Sequence, residues 1–283
     1  MAIASQSLAH ALAELAALLD GPLVVVDIGA QTIDGEAHVY AGLQRAGIAL
    51  RVIGFEPLAN RAAARRAEEA DGGTEIIEAF VGDGRTLTFH ENNASSTSSL
   101  LPLDPAVCGG FCSLAGLRTE RTHEVATTPL DTLLRDVPAV DFLKLDIQGF
   151  ELAALRGAAG VLERTAMIQC ETEFAPIYAG QPLFSEVELH LRAAGFDFID
   201  FHRPAYRAPV VPSRRVRNEQ LLWADAVFGM RAALASDRAL IAQAILALGL
   251  YGKMSVSERA LAAFDRRHGT SLAGAVAELD CAA

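Results

Sequence analysis

The sequence predicts an α/β protein in which helices flank an open, largely parallel sheet. Three observations point there. Apolar strand-like runs alternate with helical stretches from residue 23 onward, the pattern of repeated βαβ units. Half of the chain, 51%, is hydrophobic and only 6% is aromatic, enough for a large core built mainly from aliphatic side chains. Four of the apolar runs also lead to a carboxylate: 23–26 to Asp27, 51–55 to Glu56, 76–81 to Asp83 and 140–145 to Asp146. Open α/β sheets bind ligands beyond the carboxyl ends of their strands, so these acids share the ligand edge. Acids there repel phosphate and favour a ligand rich in hydroxyl and N–H donors, or one bearing positive charge.

The elements follow in order. Leu8, Leu12, Leu15 and Leu19 recur at helical spacing and give an amphipathic N-terminal helix within 1–20, stopped by Asp20-Gly21-Pro22. This segment lacks the charged start and compact apolar run of a secretory signal, so the cytoplasm is the expected compartment. Strand 23–26 is followed by helix 38–46, closed by Gly47. Strand 51–55 is followed by helix 58–70, stopped by Asp71-Gly72-Gly73, and then by strand 75–81. An insertion over 84–128 begins with a short strand at 86–90. It continues into a polar stretch, 91–100, that reads either as a lid over the ligand edge or as a flexible surface loop. Helix 129–135, strand 140–145, helix 149–162, strand 166–171 and helix 185–194 come next. Strands 196–202 and 221–228, joined by a Pro/Arg-rich connection, form an antiparallel pair. These elements make one domain over 21–230. Beyond it, 231–283 has helical patterns only, at 237–248 and 257–267, and forms an appendage packed on the domain or a homodimer contact.

Composition removes several function classes. A net charge of −11 over 283 residues argues against a general nucleic-acid binder, and Arg214-Arg215-Val216-Arg217 reads as solvated loop charge. No run of about 18 apolar residues is present, so no membrane span is expected. The four cysteines make no disulfide framework. Cys108 and Cys112, with His123 nearby, lack a fourth ligand, so no metal is expected.

The turn Asp27-Ile28-Gly29-Ala30-Gln31 directly follows an apolar strand, and a glycine there lets backbone approach a ligand closely. The dinucleotide fingerprint is absent, since Gln31 occupies a glycine position and the next glycine is Gly35. This disfavours a nicotinamide oxidoreductase, whose pyrophosphate needs that turn. S-adenosylmethionine, with a ribose diol, an amino group, an ammonium, a sulfonium and no phosphate, suits the turn better. Glu56 offers two oxygens to two adjacent hydroxyls, or else caps the helix that starts at Pro57. Asp83 either accepts from the adenine amino group or forms a turn. Lys144 lies inside an apolar strand and needs a partner. Residues 144, 146 and 148 share one side if the strand is regular, which would pair Lys144 with Asp146.

The run Lys144-Leu145-Asp146-Ile147-Gln148-Gly149-Phe150-Glu151, then Leu155-Arg156-Gly157-Ala158, is the most specific signal in the chain. Together with Asp27-Ile28-Gly29, Phe55-Glu56-Pro57 and Ser98-Ser99-Leu100, it resembles the FkbM family of S-adenosylmethionine-dependent methyltransferases over roughly residues 20–230. The resemblance implies a Rossmann-like class I methyltransferase, with seven strands in a mostly parallel sheet and the last strand antiparallel. It implies methyl transfer to a hydroxyl of a sugar or small secondary metabolite. The residue readings and the resemblance together place cofactor contacts at Asp27, Gly29, Ala30, Gln31, Glu56, Pro57, Asp83, Asp146 and Gln148. Asp146 is the first candidate for positioning or deprotonating the acceptor and His202 the second. Ser98, Ser99, Glu171 and Glu173 are expected to face the acceptor.

Two departures stand out. Gln148 replaces the family's usual Glu, which keeps hydrogen bonding but removes a charge and leaves room for a non-catalytic, methyltransferase-like binding module. Gln31-Thr32-Ile33-Asp34-Gly35 replaces Asn-x-Gly, which bears on how the methionine end of the cofactor is held.

Overall fold

The computed structural model describes residues 8–32, 37–68, 73–213 and 216–279, whose strands form two sheets. The strands are β1 (Leu23–Ile28), β2 (Leu50–Phe55), β3 (Thr74–Ile77), β4 (Phe80–Val81), β5 (Thr86–Asn92), β6 (Thr119–Thr128), β7 (Val140–Leu145), β8 (Thr165–Glu173), β9 (Phe196–Arg207) and β10 (Gln220–Met230). The main sheet runs β3-β2-β1-β7-β8-β10-β9. Within it β3, β2, β1, β7 and β8 pair in parallel, and β10 is antiparallel to both neighbours. This is the expected seven-stranded sheet, with the last strand of the chain antiparallel. Strand order reverses between β1 and β7, the switch point at which such sheets hold ligands. Both strands are covered on their two faces, which is why they read as almost continuous apolar runs until Asp27 and Lys144.

Two expected elements are interrupted, and each break falls at a close approach that involves Gly82. The expected strand 75–81 divides, so that β3 stays beside β2 while β4 joins β6 in a separate sheet of order β4-β6-β5. A Cβ on Gly82 would lie 2.8 Å from the Thr127 side chain, and Gly82 N donates to Thr128 O, so the chain is drawn toward β6. The expected helix 149–162 breaks into Glu151–Arg156 and Ala159–Leu162. The break falls at Gly157, where a Cβ would sit 2.9 Å from the Gly82 carbonyl oxygen.

Other helices shift in length. The segments expected at 38–46 and 129–135 contain only Ala41–Arg45 and Leu130–Leu133. The first described helix, Leu8–Ala16, buries Ala11, Leu12 and Leu15 but leaves Leu8 exposed. The helix expected over 58–70 is Ala59–Glu68; its stop signal at Asp71 and Gly72 lies outside the described residues, as do Arg214 and Arg215.

Residues beyond Met230 are not peripheral. Helix Asp237–Tyr251 is capped by Ser236, whose Oγ accepts from Ala239 N, and ends at Gly252 in the left-handed region at φ +60°. Every residue from Ala239 to Leu248 is buried, as expected of a helix apolar on all sides. It covers β7 and β8 and packs against Leu8–Ala16, so this surface is consumed within the chain. Its first turn carries Arg238, which makes a two-pronged ion pair with buried Asp141 (Nη2–Oδ2 2.6 Å, Nε–Oδ1 3.0 Å). The same guanidinium donates to Asp20 O and Pro22 O, and Asp141 Oδ2 also accepts from Val24 N. One arginine thus ties the C-terminal helix to the starts of β1 and β7. No helix among the described residues is long and apolar enough to cross a membrane.

Candidate active site

At the carboxyl edge of the main sheet lies a cavity of about 510 Å³, floored by the strand ends and roofed by residues 95–100. Its geometry begins with Gly29, at φ +83°, where a Cβ would lie 2.0 Å from the Asp146 carbonyl oxygen. Only a glycine lets the ends of β1 and β7 close to this distance, and Asp146 N donates to Ile28 O beside it.

Asp27 sits behind that wall with 0% exposure. Lys144 Nζ lies 3.2 Å from its Oδ1, Tyr40 Oη donates to Oδ2 at 2.9 Å, and His38 Nδ1 is 3.5 Å away. Burial pushes the Asp27 carboxyl up, but Lys144 and the hydrogen bonds from His38 and Tyr40 outweigh it, holding the pKa at about 2. Asp27 is therefore a charged anchor behind the cavity. Asp27 does not border the cavity: Tyr40 and His38 face its Oδ2, and the Lys144 ammonium faces its Oδ1. Ala30 likewise faces away, packed with Ala62 and Ile76.

The half of the cavity next to β1 and β2 is lined by Gly29, Gln31, His38, Glu56, Pro57 and Phe80. Glu56 is buried, and its Oε1 accepts from Leu58 N at 2.9 Å, so it caps the helix entry and borders the cavity at once. Burial raises its pKa. Gln31 Oε1 accepts from Arg61, whose second Nη reaches Ser95 O in the roof. His38 Nε2 is buried and has no hydrogen-bond partner among the described residues. Asp83 is not part of this half. It turns toward Arg85, which donates to it at 2.7 Å, because β4 has left the main sheet before the ligand edge. Ile33, Asp34 and Gly35 lie outside the described residues.

The other half is built from β7, β8 and β10. The regular strand ends at Leu145, and Gln148 adopts φ +57°, so the expected period-two alignment does not continue. The side chains still converge. Gln148 Nε2 donates to Asp146 Oδ1 at 3.0 Å and to Glu171 Oε2 at 2.7 Å, while Lys144 Nζ is 3.6 Å from Asp146 Oδ2. Tyr178 Oη is 2.9 Å from Gln148 Oε1 and 2.8 Å from Thr97 O, sharing one proton between core and roof. Behind this turn Glu151 Oε1 accepts from Ile147 N and Gly149 N, and burial lifts its pKa to about 7. Glu171 and Glu173, two residues apart on β8, both line the cavity. Burial first, and then neighbouring acids, push both carboxyls well above their ordinary value.

The roof is pinned in place. His90 and Ser99 exchange backbone hydrogen bonds, Asn92 N donates to Ser98 Oγ, and Ser99 Oγ donates to Gln148 O at 2.6 Å. Ser98 and Ser99 border the cavity, but these bonds engage their hydroxyls in holding the roof. Limited proteolysis is expected to cut slowly at 93–98, more slowly still when cofactor is added, and faster in Tyr178→Phe. Equal rates in all three would remove any gating role from the roof.

His202, expected as a second catalytic candidate, does not line this cavity. It pairs with Asp225 in the sheet register, one strand further out. Its ring lies edge-on to Tyr251, in a separate pocket of about 90 Å³ shared with Asp200 and Lys253. Cys108 Sγ faces Ile177 O and Cys112 Sγ faces Pro209 O, so the two thiols do not converge. Arg61, Tyr178, Trp223 and Asp225 border the cavity and were not singled out from the sequence. Trp223 and Asp225 carried a signal, an indole and an acid at period-two spacing in an apolar strand. Arg61 and Tyr178 carried none, since each reaches the site only through tertiary packing.

Residues 27–198 match the family described as methyltransferase FkbM domain. Comparison with curated proteins finds no match. Among solved structures, magnesium protoporphyrin IX methyltransferase from Synechocystis PCC 6803, with bound SAM, is 11% identical over 80% of this chain and 79% of its own, with a TM-score of 0.38. The Burkholderia thailandensis 1,6-didemethyltoxoflavin-N1-methyltransferase is 16% identical over 80% of this chain and 79% of its own, with a TM-score of 0.34. The N-terminal domain of EvdMO1, in the presence of SAH and D-fucose, is 11% identical over 81% of this chain and 84% of its own, with a TM-score of 0.37.

Proposed function

The chain belongs to the methyltransferase FkbM domain family, and on that premise we propose that it methylates a hydroxyl oxygen of a sugar or small secondary metabolite. Its cofactor, S-adenosylmethionine, supplies an electrophilic methyl carbon on a sulfonium. The residues present suit that group. Glu56 offers a carboxylate to hydroxyl donors, Phe80 offers an apolar plate, and the unpartnered His38 Nε2 waits for a polar atom at the same end. No phosphate-cradling turn is needed.

The observation that carries the reading is the convergence of Asp146, Gln148 and Glu171 in one cavity with the Glu56 end. A neutral alcohol is a weak nucleophile and gains from an acceptor for its proton and from fixed alignment. Asp146, held by Gln148 and Lys144, is placed to orient the hydroxyl. Glu171, whose affinity for a proton is raised, lies at hydrogen-bond distance from the same Gln148 amide.

Incubating the protein with methyl-labelled S-adenosylmethionine and a fractionated cell extract, then identifying the labelled product by mass spectrometry, tests the reading. A labelled hydroxyl supports it; a labelled nitrogen or carbon, or no label at all, overturns it. For the cofactor half, Glu56→Ala is expected to weaken S-adenosylmethionine binding by about 1.5–3 kcal/mol in calorimetry, the range for hydrogen bonds to a charged group. Unchanged affinity in the folded variant rejects that role for Glu56.

A further inference from the structure

The acceptor half of the cavity is tied to the C-terminal helix by a chain of side-chain hydrogen bonds that crosses the sheet. Tyr251, the last residue of helix Asp237–Tyr251, donates from its Oη to Gln169 Oε1 at 2.7 Å. Gln169, on β8, is 2% exposed, and its Nε2 donates to Asp225 Oδ2 at 2.9 Å. Asp225, on β10, borders the cavity, as does Trp223 two residues before it.

The orientation of the Gln169 amide follows from chemistry. A carboxylate accepts and never donates when ionised, so the NH₂ must face Asp225 and the carbonyl must face the phenol. Without the phenol the NH₂ still faces the acid, but the carbonyl end of the amide loses its donor and the side chain is held at one end only. Trp223, Asp225 and Tyr251 all lie beyond residue 198, outside the segment matched by the family. This wall of the cavity is therefore supplied by the part of the chain that the family match does not cover.

We propose that Tyr251 is a positioning residue for the methyl acceptor, acting through Gln169 to hold Asp225 in place, and that the C-terminal helix thereby sets acceptor recognition. The proposal rests on the methyltransferase reading above. It assigns Asp225 a direct contact with the acceptor and Tyr251 none. It also gives the helix a role in the site beyond filling the core.

The test uses Tyr251→Phe, which removes only the hydroxyl, Asp225→Asn, and the double variant. The acceptor is the extract fraction that wild-type protein labels with methyl-labelled S-adenosylmethionine. S-adenosylhomocysteine serves as the binding probe for the cofactor half, and thermal unfolding confirms that each variant is folded. Tyr251→Phe is expected to raise the KM for the labelled fraction about fivefold, the scale of one lost hydrogen bond, and to change kcat and S-adenosylhomocysteine affinity less than about twofold. Asp225→Asn should raise KM at least as much, and the double variant no more than Asp225→Asn alone, because the tyrosine acts through the acid. Should Asp225→Asn not fold, Asp225→Ser takes its place in the cycle.

An unchanged KM in Tyr251→Phe overturns the proposal, and so do additive effects in the double variant. A parallel loss of S-adenosylhomocysteine affinity overturns it too, by making the effect a general loosening of the core. No label with wild-type protein removes the methyltransferase reading itself, and this proposal with it.

Discussion

Asp146→Asn is expected to lower methyl transfer about 100-fold or more while changing S-adenosylmethionine affinity far less. A factor of 100 corresponds to about 2.7 kcal/mol of transition-state stabilisation, within the range for a positioned acid or base. The asparagine is nearly isosteric but brings an NH₂ into a site where Gln148 Nε2 and Lys144 Nζ already point donors at Asp146. One donor must then face another, and the arrangement that aligns the acceptor is lost. A wild-type rate would make Asp146 structural and pass its role to Glu171. In that case activity would fall as pH drops through the raised pKa of Glu171, since only the ionised form takes a proton, and Glu171→Gln would abolish that limb. Loss of cofactor binding in Asp146→Asn would instead assign the residue to the cofactor half.

Lys144→Met is expected to cost about 3–5 kcal/mol of folding stability at neutral pH, the usual result of stranding one member of a buried ion pair. The stranded partner is Asp27, which is 0% exposed. The pH dependence provides the check. In the wild type the folded pKa of Asp27, about 2, lies below its ordinary 3.8. Its ionised form therefore stabilises the fold above about pH 4 by about 2 kcal/mol, a gain that drains away as pH falls toward 2. Without Lys144, burial acts with less opposition and moves the Asp27 pKa upward, so the variant becomes relatively more stable as Asp27 protonates. Urea unfolding of the two proteins should show a wide gap at pH 7 that narrows toward pH 4. A gap below about 1 kcal/mol, or one independent of pH, would separate Lys144 from Asp27 energetically.

The parts of the site legible in the sequence are those that strands deliver. β2 and β7 lead directly into Glu56 and Asp146, β8 carries Glu171 two residues before its end, and the topology brings these ends together, so position along a strand was enough. Gly29 was legible for the same reason, as a glycine directly after an apolar strand. The sequence misled wherever an element left its regular path. Asp83 follows a strand that changes sheets, and the cause is the contact of Gly82 with Thr127 and Gly157, residues far apart along the chain. His202 ends the expected strand, but β9 continues to Arg207 and the histidine meets Tyr251 from a helix whose position no local pattern records. Asp27 illustrates a different limit. Its place on the strand was legible, but its burial behind the cavity, against Lys144, Tyr40 and His38, comes from tertiary packing.

The Arg238 clasp and the packing of Leu8–Ala16 against Asp237–Tyr251 also order events in time. Helix Leu8–Ala16 is made more than 200 positions before Asp237–Tyr251, the helix that covers it, and β7 is made roughly 90 positions before the same cover. Until residues 237–251 emerge, the apolar side chains of Leu12, Leu15 and β7, and the carboxylate of Asp141, have no lasting cover. The nascent chain thus carries an open hydrophobic flank until residues 237–251 are made, the condition under which chaperone capture and aggregation compete with folding.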